Sequence, residues 1–255
     1  MLTYLALASD VKPPVLRVQP PFVHVSYAVG ADGALWCSAS PEALRGGLMG
    51  LGDRCGDTLG APDELLRAIE NECAERGFDG VLADFDPPVR RDRLELLQQL
   101  GERLRCTGKR LYVPEAFAVP GACVLIGTAV SGGSLRALLQ RSVQRYGKGC
   151  LALDVQRVCM DFPLPCPSGE GRALRRENFA ALRRQHPNPV FFSSALCARY
   201  FTYSLGGEMH LVLFDDAQTL RRKLQLGRES GIRTAFFMYP EVDDLLPGLF
   251  SSGRG

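Results

Sequence analysis

Four times in this 255-residue chain an amphipathic helical pattern runs into a glycine, and an apolar strand pattern begins at once. In the first passage Pro62 fits an opening turn, Asp63 and Glu64 sit at the positive end of the helix dipole, and Leu65, Ile69 and Cys73 share one face. Gly77 suits the left-handed position that ends a helix, and a strand follows over residues 78–86. The second passage carries Leu97, Leu100 and Leu104 to Gly108 and a strand over 109–115. The third is capped by Ser134, carries Leu135, Leu138, Leu139 and Val143 to Gly147, and gives a strand over 150–155. The fourth starts at Asp216, runs through Leu220 and Leu224 to Gly231, and gives a strand over 232–239. Helical crossovers join parallel strands, and continuous apolar strands are covered on both faces. A doubly wound open sheet and a closed β/α barrel both satisfy this pattern. No Gly-x-Gly-x-x-Gly or Walker loop follows an early strand, which removes the usual nucleotide-binding reason for the open sheet. The length suits one barrel, an α/β (β/α)8 TIM barrel spanning residues 1–255 as a single domain.

The strand after Gly77 carries the chemistry. Side chains alternate across a strand, so Leu82, Asp84 and Asp86 share one face, and Val81, Ala83 and Phe85 share the other. Acids on the inner face of an apolar strand are costly unless partnered. They are useful at the C-terminal mouth of a barrel, where active sites of this architecture are built. Glu115, Asp154 with Arg157, and Tyr239 before Pro240-Glu241 stand at the ends of other predicted strands and are further mouth candidates.

The segment Asp79-Gly80-Val81-Leu82-Ala83-Asp84-Phe85-Asp86-Pro87-Pro88 resembles the fourth-strand signature of family 18 glycoside hydrolases. That family comprises chitinases, chitinase-like lectins and bacterial spore-cortex lytic enzymes, and its pattern reads Asp-x-x-Asp-x-Asp-x-Glu. Asp79, Asp84 and Pro88 match; Leu82 stands where Asp or Asn is usual, and Asp86 where the acid Glu is expected. Two more regions resemble the family. Residues 22–35 are similar to its second strand and following Asp-Gly turn, and residues 206–216, ending Phe214-Asp215-Asp216, to an antiparallel hairpin before the last helix. The resemblance does not extend through residues 119–189.

The resemblance implies substrate-assisted retaining hydrolysis of glycans containing N-acetylglucosamine, such as peptidoglycan or chitin-like chains. Asp86 takes the place of the acid and Asp84 that of the acetamide-orienting carboxylate. Asp79, Glu115, Asp154 and Tyr239 are substrate-binding candidates, with Tyr239 where the family has a stacking Trp. Asp is one methylene shorter than Glu, and a misplacement of about 1 Å can cost on the order of 100-fold in rate. Attenuated hydrolysis is therefore expected. The alternatives are a non-catalytic carbohydrate-binding barrel and an unrelated barrel enzyme in which Glu115 and Asp154 converge.

Thirty basic and 28 acidic residues are spread along the chain, and the clusters at 172–176 and 221–223 read as solvated helix faces. Nucleic-acid binding has little support. Nine cysteines occur without a Cys-x-x-Cys pair, and only His24, His186 and His210 are present. That composition excludes the usual zinc spacings and reads as small core thiols in a reducing compartment. No metal, cofactor or protein partner is predicted; a glycan is the expected ligand. His24, in an apolar strand, reads as a core histidine, and Trp36 as half-buried packing. Residues 1–7 lack the basic start and length of a signal peptide and read as a first strand, so a cytoplasmic location without membrane attachment is expected. Residues 162–171, rich in Pro and Gly, are predicted as an exposed loop.

Overall fold

A computed structural model describes residues 1–40, 44–59 and 62–250. Eight parallel strands close into a barrel: β1 (Leu2–Ala8), β2 (Phe22–Val29), β4 (Leu48–Asp53), β5 (Gly80–Asp84), β6 (Arg110–Pro114), β7 (Cys123–Gly127), β8 (Leu151–Asp154) and β14 (Thr234–Met238). Closure is explicit, because β1 pairs in parallel with β2 on one side and with β14 on the other. The short β3 (Leu35–Cys37) turns back antiparallel along the upper part of β2. Closure satisfies every strand edge within the ring and excludes the open-sheet alternative.

The four helix–Gly–strand passages appear as α1 (Pro62–Glu75), α2 (Arg91–Cys106), α3 (Leu135–Tyr146) and α5 (Ala217–Glu229), each leading to its strand. Gly77, Gly108, Gly147 and Gly231 all have φ between 66° and 87°, a conformation that a Cβ would strain. Asp216 and Thr219 form a reciprocal capping box at the start of α5, each side chain accepting the other's backbone N–H at 2.9 Å.

Two layers of packing divide the apolar residues by the parity of their strand positions. Tyr4, Val23, Leu48, Leu82, Tyr112, Ala152 and Phe236 fill the barrel interior. Phe236 stacks on Tyr4 at 5.3 Å and meets Tyr112 edge-on at 5.0 Å, so the interior is a plugged core below the mouth. Alternate residues such as Val81, Ala83 and Phe85 face outward onto α1 and α2. Leu153, Val155, Ala235 and Phe237 face outward onto α3, α5 and the short C-terminal helices α6 (Tyr239–Val242) and α7 (Leu246–Phe250).

Between β8 and α5 the chain builds more than the small hairpin predicted. A five-stranded antiparallel sheet forms in the order β10-β9-β13-β12-β11, from β9 (Cys159–Leu164), β10 (Arg172–Ala173), β11 (Phe191–Ser193), β12 (Ala198–Leu205) and β13 (Glu208–Phe214). The helix α4 (Arg176–Gln185) covers one face, placing Phe179 4.8 Å from Phe214 and 6.4 Å from Phe201. The expected loop accordingly begins later than predicted, because Phe162, Pro163 and Leu164 pair with Leu211, His210 and Met209. Prolines without an N–H are tolerated where the partner strand needs only their carbonyl. A fully buried Lys223–Asp215 pair at 2.6 Å ties this sheet to α5, and Asp215 also accepts from the Val158 N–H at 2.8 Å.

His24 is a core residue, packed against Phe78 and bonded to the Gly46 carbonyl at 3.2 Å. All nine cysteines are free thiols, with Cys55, Cys73, Cys123 and Cys197 buried and Cys106 and Cys150 exposed. Among the described residues no helix is long and apolar enough to cross a membrane.

Candidate active site

The alternation of β5 carries its acids to the mouth. Leu82 is buried in the barrel interior, so Asp84, two residues on, emerges on the same face where the strand ends. The strand stops at Asp84, two residues short of the predicted end, because Pro87 and Pro88 cannot extend a ladder that needs N–H donors. Asp86 follows in the exposed segment beyond. Although the Asp84 side chain reaches solvent, partial burial in the mouth raises its pKa above the usual carboxylate value, and the adjacent charge of Asp86 adds to the effect.

Asp154 reaches the same mouth from β8. Ala152 lies in the barrel interior while Leu153 and Val155 face outward, so Asp154 projects inward. One carboxylate oxygen accepts from Gln156 Nε2 at 2.7 Å. Burial pushes its pKa up to about 6, helped by the negative charges of Glu241 and Asp84, while the Gln156 hydrogen bond opposes the shift. Asp84 and Asp154 therefore act on each other across the mouth, and Glu241 from α6 joins them. Arg157 holds this rim: its backbone N–H donates to Glu241 Oε2 at 3.3 Å, and Nη1 donates to Asp244 Oδ1 at 2.7 Å. From α4, Arg176 donates to the Pro240 carbonyl at 2.6 Å and pairs with Asp243 and Asp244. The inserted sheet is thereby fastened to the loop after β14.

The remaining predicted site residues do not converge here. Glu115 follows the inward-facing Pro114 and points away from the barrel axis, accepting from Tyr146 at 3.1 Å and pairing with Arg145 at 3.6 Å. Glu115 and Asp154 thus have separate partners, and the site that would unite them is not formed. Tyr239 opens α6 and packs against the outer layer; Met238, in phase with interior Phe236, is the exposed side chain on the mouth side of β14. Asp79 is exposed before the start of β5, at the end of the barrel opposite the mouth. Glu241 and Gln156 were not singled out from sequence. Their only signal was proximity to a predicted strand end, which many loop residues share. Among the described residues no cluster of His, Cys, Asp or Glu has the arrangement of a metal site.

No protein-family model matches the chain, and no curated protein does. Solved structures do match in fold. The spore cortex-lytic enzyme SleL of Bacillus megaterium aligns over 99% of this chain and 75% of its own, with TM-score 0.62 and 16% identity. A class V chitinase from Nicotiana tobaccum aligns over 97% of both chains, with TM-score 0.65 and 10% identity. A GH18 chitinase from Cycas revoluta, solved in complex with (GlcNAc)4, aligns over 98% of both chains, with TM-score 0.63 and 13% identity. At these identities the likeness concerns architecture, and through it the acidic mouth stands on the barrel shared by GH18 chitinases and spore cortex-lytic enzymes.

Proposed function

We propose that this barrel acts on glycans containing N-acetylglucosamine, by substrate-assisted retaining hydrolysis of reduced efficiency. The observation that carries the reading is the placement of Asp84 on the inner face of β5 at the mouth, with Asp86 beside it and Asp154 opposite. In this mechanism Asp86 donates a proton to the glycosidic oxygen as that bond breaks. The carbonyl oxygen of the sugar's own acetamide attacks the anomeric carbon, and Asp84 orients the acetamide and balances the positive charge that develops on it. Water then opens the cyclic intermediate and returns the proton to Asp86. The pKa of Asp84 is raised by partial burial and then by the neighbouring charge of Asp86, which supports the two acting together in one mouth. Asp154, its pKa pushed up to about 6 by burial and by the charges of Glu241 and Asp84, adds a third carboxyl to the same mouth.

Reduced efficiency follows from geometry. The shorter Asp86 leaves its proton about 1 Å farther from the bond, a misplacement that can cost roughly 100-fold. Leu82, buried below Asp84 among Tyr112 and its apolar neighbours, supplies no carboxylate to share that proton. The same apolar layer favours a second reading, a carbohydrate-binding barrel without turnover. Hydrolysis of an aryl N-acetylglucosaminide separates the two. Asp86→Glu raises turnover and Asp86→Asn abolishes it if the barrel is an attenuated enzyme. Glycan binding without turnover in both the wild type and Asp86→Glu marks a binding module, and turnover that survives Asp86→Asn removes Asp86 from the mechanism.

A further inference from the structure

The basic run at 221–223 divides in the structure. Lys223 turns inward to Asp215, while Arg221 and Arg222 stand on the exposed side of α5, within one turn of Gln218 and Gln225. Beside them a cavity of about 600 Å³ opens against Phe192 and Arg199. A second, of about 410 Å³, continues past Phe192 and Arg222 to Arg136 on α3. Phe192 and Arg222 line both cavities, so the two form one groove. Its α5 wall runs from Gln218 to Leu226, about 12 Å of helix, the length of roughly four residues of extended chain. Both α3 and α5 cover the outer layer of the barrel, so the groove lies on its flank, away from the acidic mouth.

Positive charge is spread along this groove. Arg199, Arg221, Arg222 and Arg136 line it, and among the described residues no carboxylate does. Two acids stand at its margins. Asp216 pairs with Arg199 at 2.5 Å, and Glu229 is shared between Arg136 at 2.8 Å and Arg222 at 3.7 Å. Arg221 pairs with no described residue. Four guanidinium groups against two carboxylates leave an excess of two positive charges, as large as the +2 net charge of the entire chain. Phe192 supplies an apolar element between the two cavities. It lies on β11, the edge strand of the inserted sheet, and stays 48% exposed although burial of so large a ring is favourable. Exposed aromatic and arginine side chains together are the composition of a protein-binding surface. Guanidinium forks distributed over this length suit several carboxylates on one chain better than a single compact anion.

We propose that this groove docks an extended acidic peptide segment of a partner protein, with its carboxylates on the four arginines and one apolar side chain against Phe192. The site is independent of the mouth and of any glycan reading. The probe is a fluorescein-labelled peptide of about ten residues, Glu and Asp around one central Leu, titrated with the full chain and followed by anisotropy. A labelled thymidylate strand of the same length serves as a competing polyanion. The peptide should bind saturably at low salt and weaken at least about 10-fold in about 0.5 M salt, where exposed charges are screened. Arg221→Glu combined with Arg222→Glu should weaken it by about 10-fold or more, and Phe192→Ala by about 10-fold, as for a central interface residue. Arg172→Glu combined with Arg175→Glu changes the other basic run, at the opposite edge of the same sheet, and should leave the affinity unchanged. Absence of saturable peptide binding overturns the proposal, as does an equal loss in the 172/175 variant, which marks general charge attraction. Full affinity in Phe192→Ala removes the groove as the binding place. Equal or tighter binding of the thymidylate strand assigns it to phosphate polyanions and overturns the peptide.

Discussion

Asp154 and Asp215 flank the inserted sheet, one just before it begins and one just after it ends, yet their surroundings are opposite. Asp215 is fully buried and fully partnered: Lys223 Nζ at 2.6 Å, the Thr219 hydroxyl at 2.7 Å and the Val158 N–H at 2.8 Å converge on it. Asp154 is less buried, receives one neutral hydrogen bond from Gln156, and faces Glu241 and Asp84. The first arrangement stabilises a charge that water cannot reach. The second leaves a carboxyl whose charge its neighbours oppose. A fold has reason to keep the first for architecture, while the second costs stability and so points to chemistry.

The largest effect should come from breaking the buried pair. Lys223→Met alone leaves Asp215 an uncompensated buried charge and should destabilise the protein by about 3–5 kcal/mol. Combining it with Asp215→Leu should recover much of that loss in urea unfolding. A single variant costing under about 1 kcal/mol would mean that water reaches Asp215, and the contrast would collapse.

The next effect has the opposite sign. The folded-state pKa of Asp154, about 6, lies above its ordinary value of 3.8, so between those values the native state binds more protons than the unfolded chain. Stability from this group is therefore lost as pH rises from about 4 to about 6, and the cost persists above. Asp154→Asn should stabilise the protein at pH 7.5 by about 1–2 kcal/mol, the shift discounted for its partial exposure, and by nothing below pH 4. Urea midpoints measured across that range decide it; a destabilised Asp154→Asn variant at neutral pH would show a hidden cationic partner.

The smallest effect concerns the one bond that favours the charged form. Gln156→Leu removes the 2.7 Å donor and should move the Asp154 titration upward, by up to about one pH unit for one neutral hydrogen bond. Carboxyl carbon shifts followed by NMR measure this. No upward movement would assign the perturbation wholly to burial and neighbouring charge.

The acids at the mouth were partly legible in the chain. The parity of β5 put Asp84 inside because Leu82 is apolar and Val81, Ala83 and Phe85 alternate with it, and Asp154 follows the same logic after Ala152. Glu115 and Tyr239 were misread in direction, not in position along the chain. Both stand one residue out of phase with the interior positions Pro114 and Met238, and a single residue reverses the face a side chain occupies. The size of the insertion was also hidden, because β9 carries Pro163 and its ladder with β13 joins residues as distant in sequence as Cys159 and Phe214.

The sequence by itself determined the repeating helix–glycine–strand unit, the caps that begin and end its helices, and the phase of β5. These depend on local backbone preference and on residues within one turn or one pleat. Only the tertiary structure decided that the sheet closes, since closure requires β1 to pair with both β2 and β14 across the length of the chain. It likewise decided which carboxyls share the mouth. The pKa of Asp154 is raised by burial and then by Glu241 and Asp84, all of which come about only when the strands curve into a barrel, and a charge interaction falls with distance in space whatever the distance in sequence.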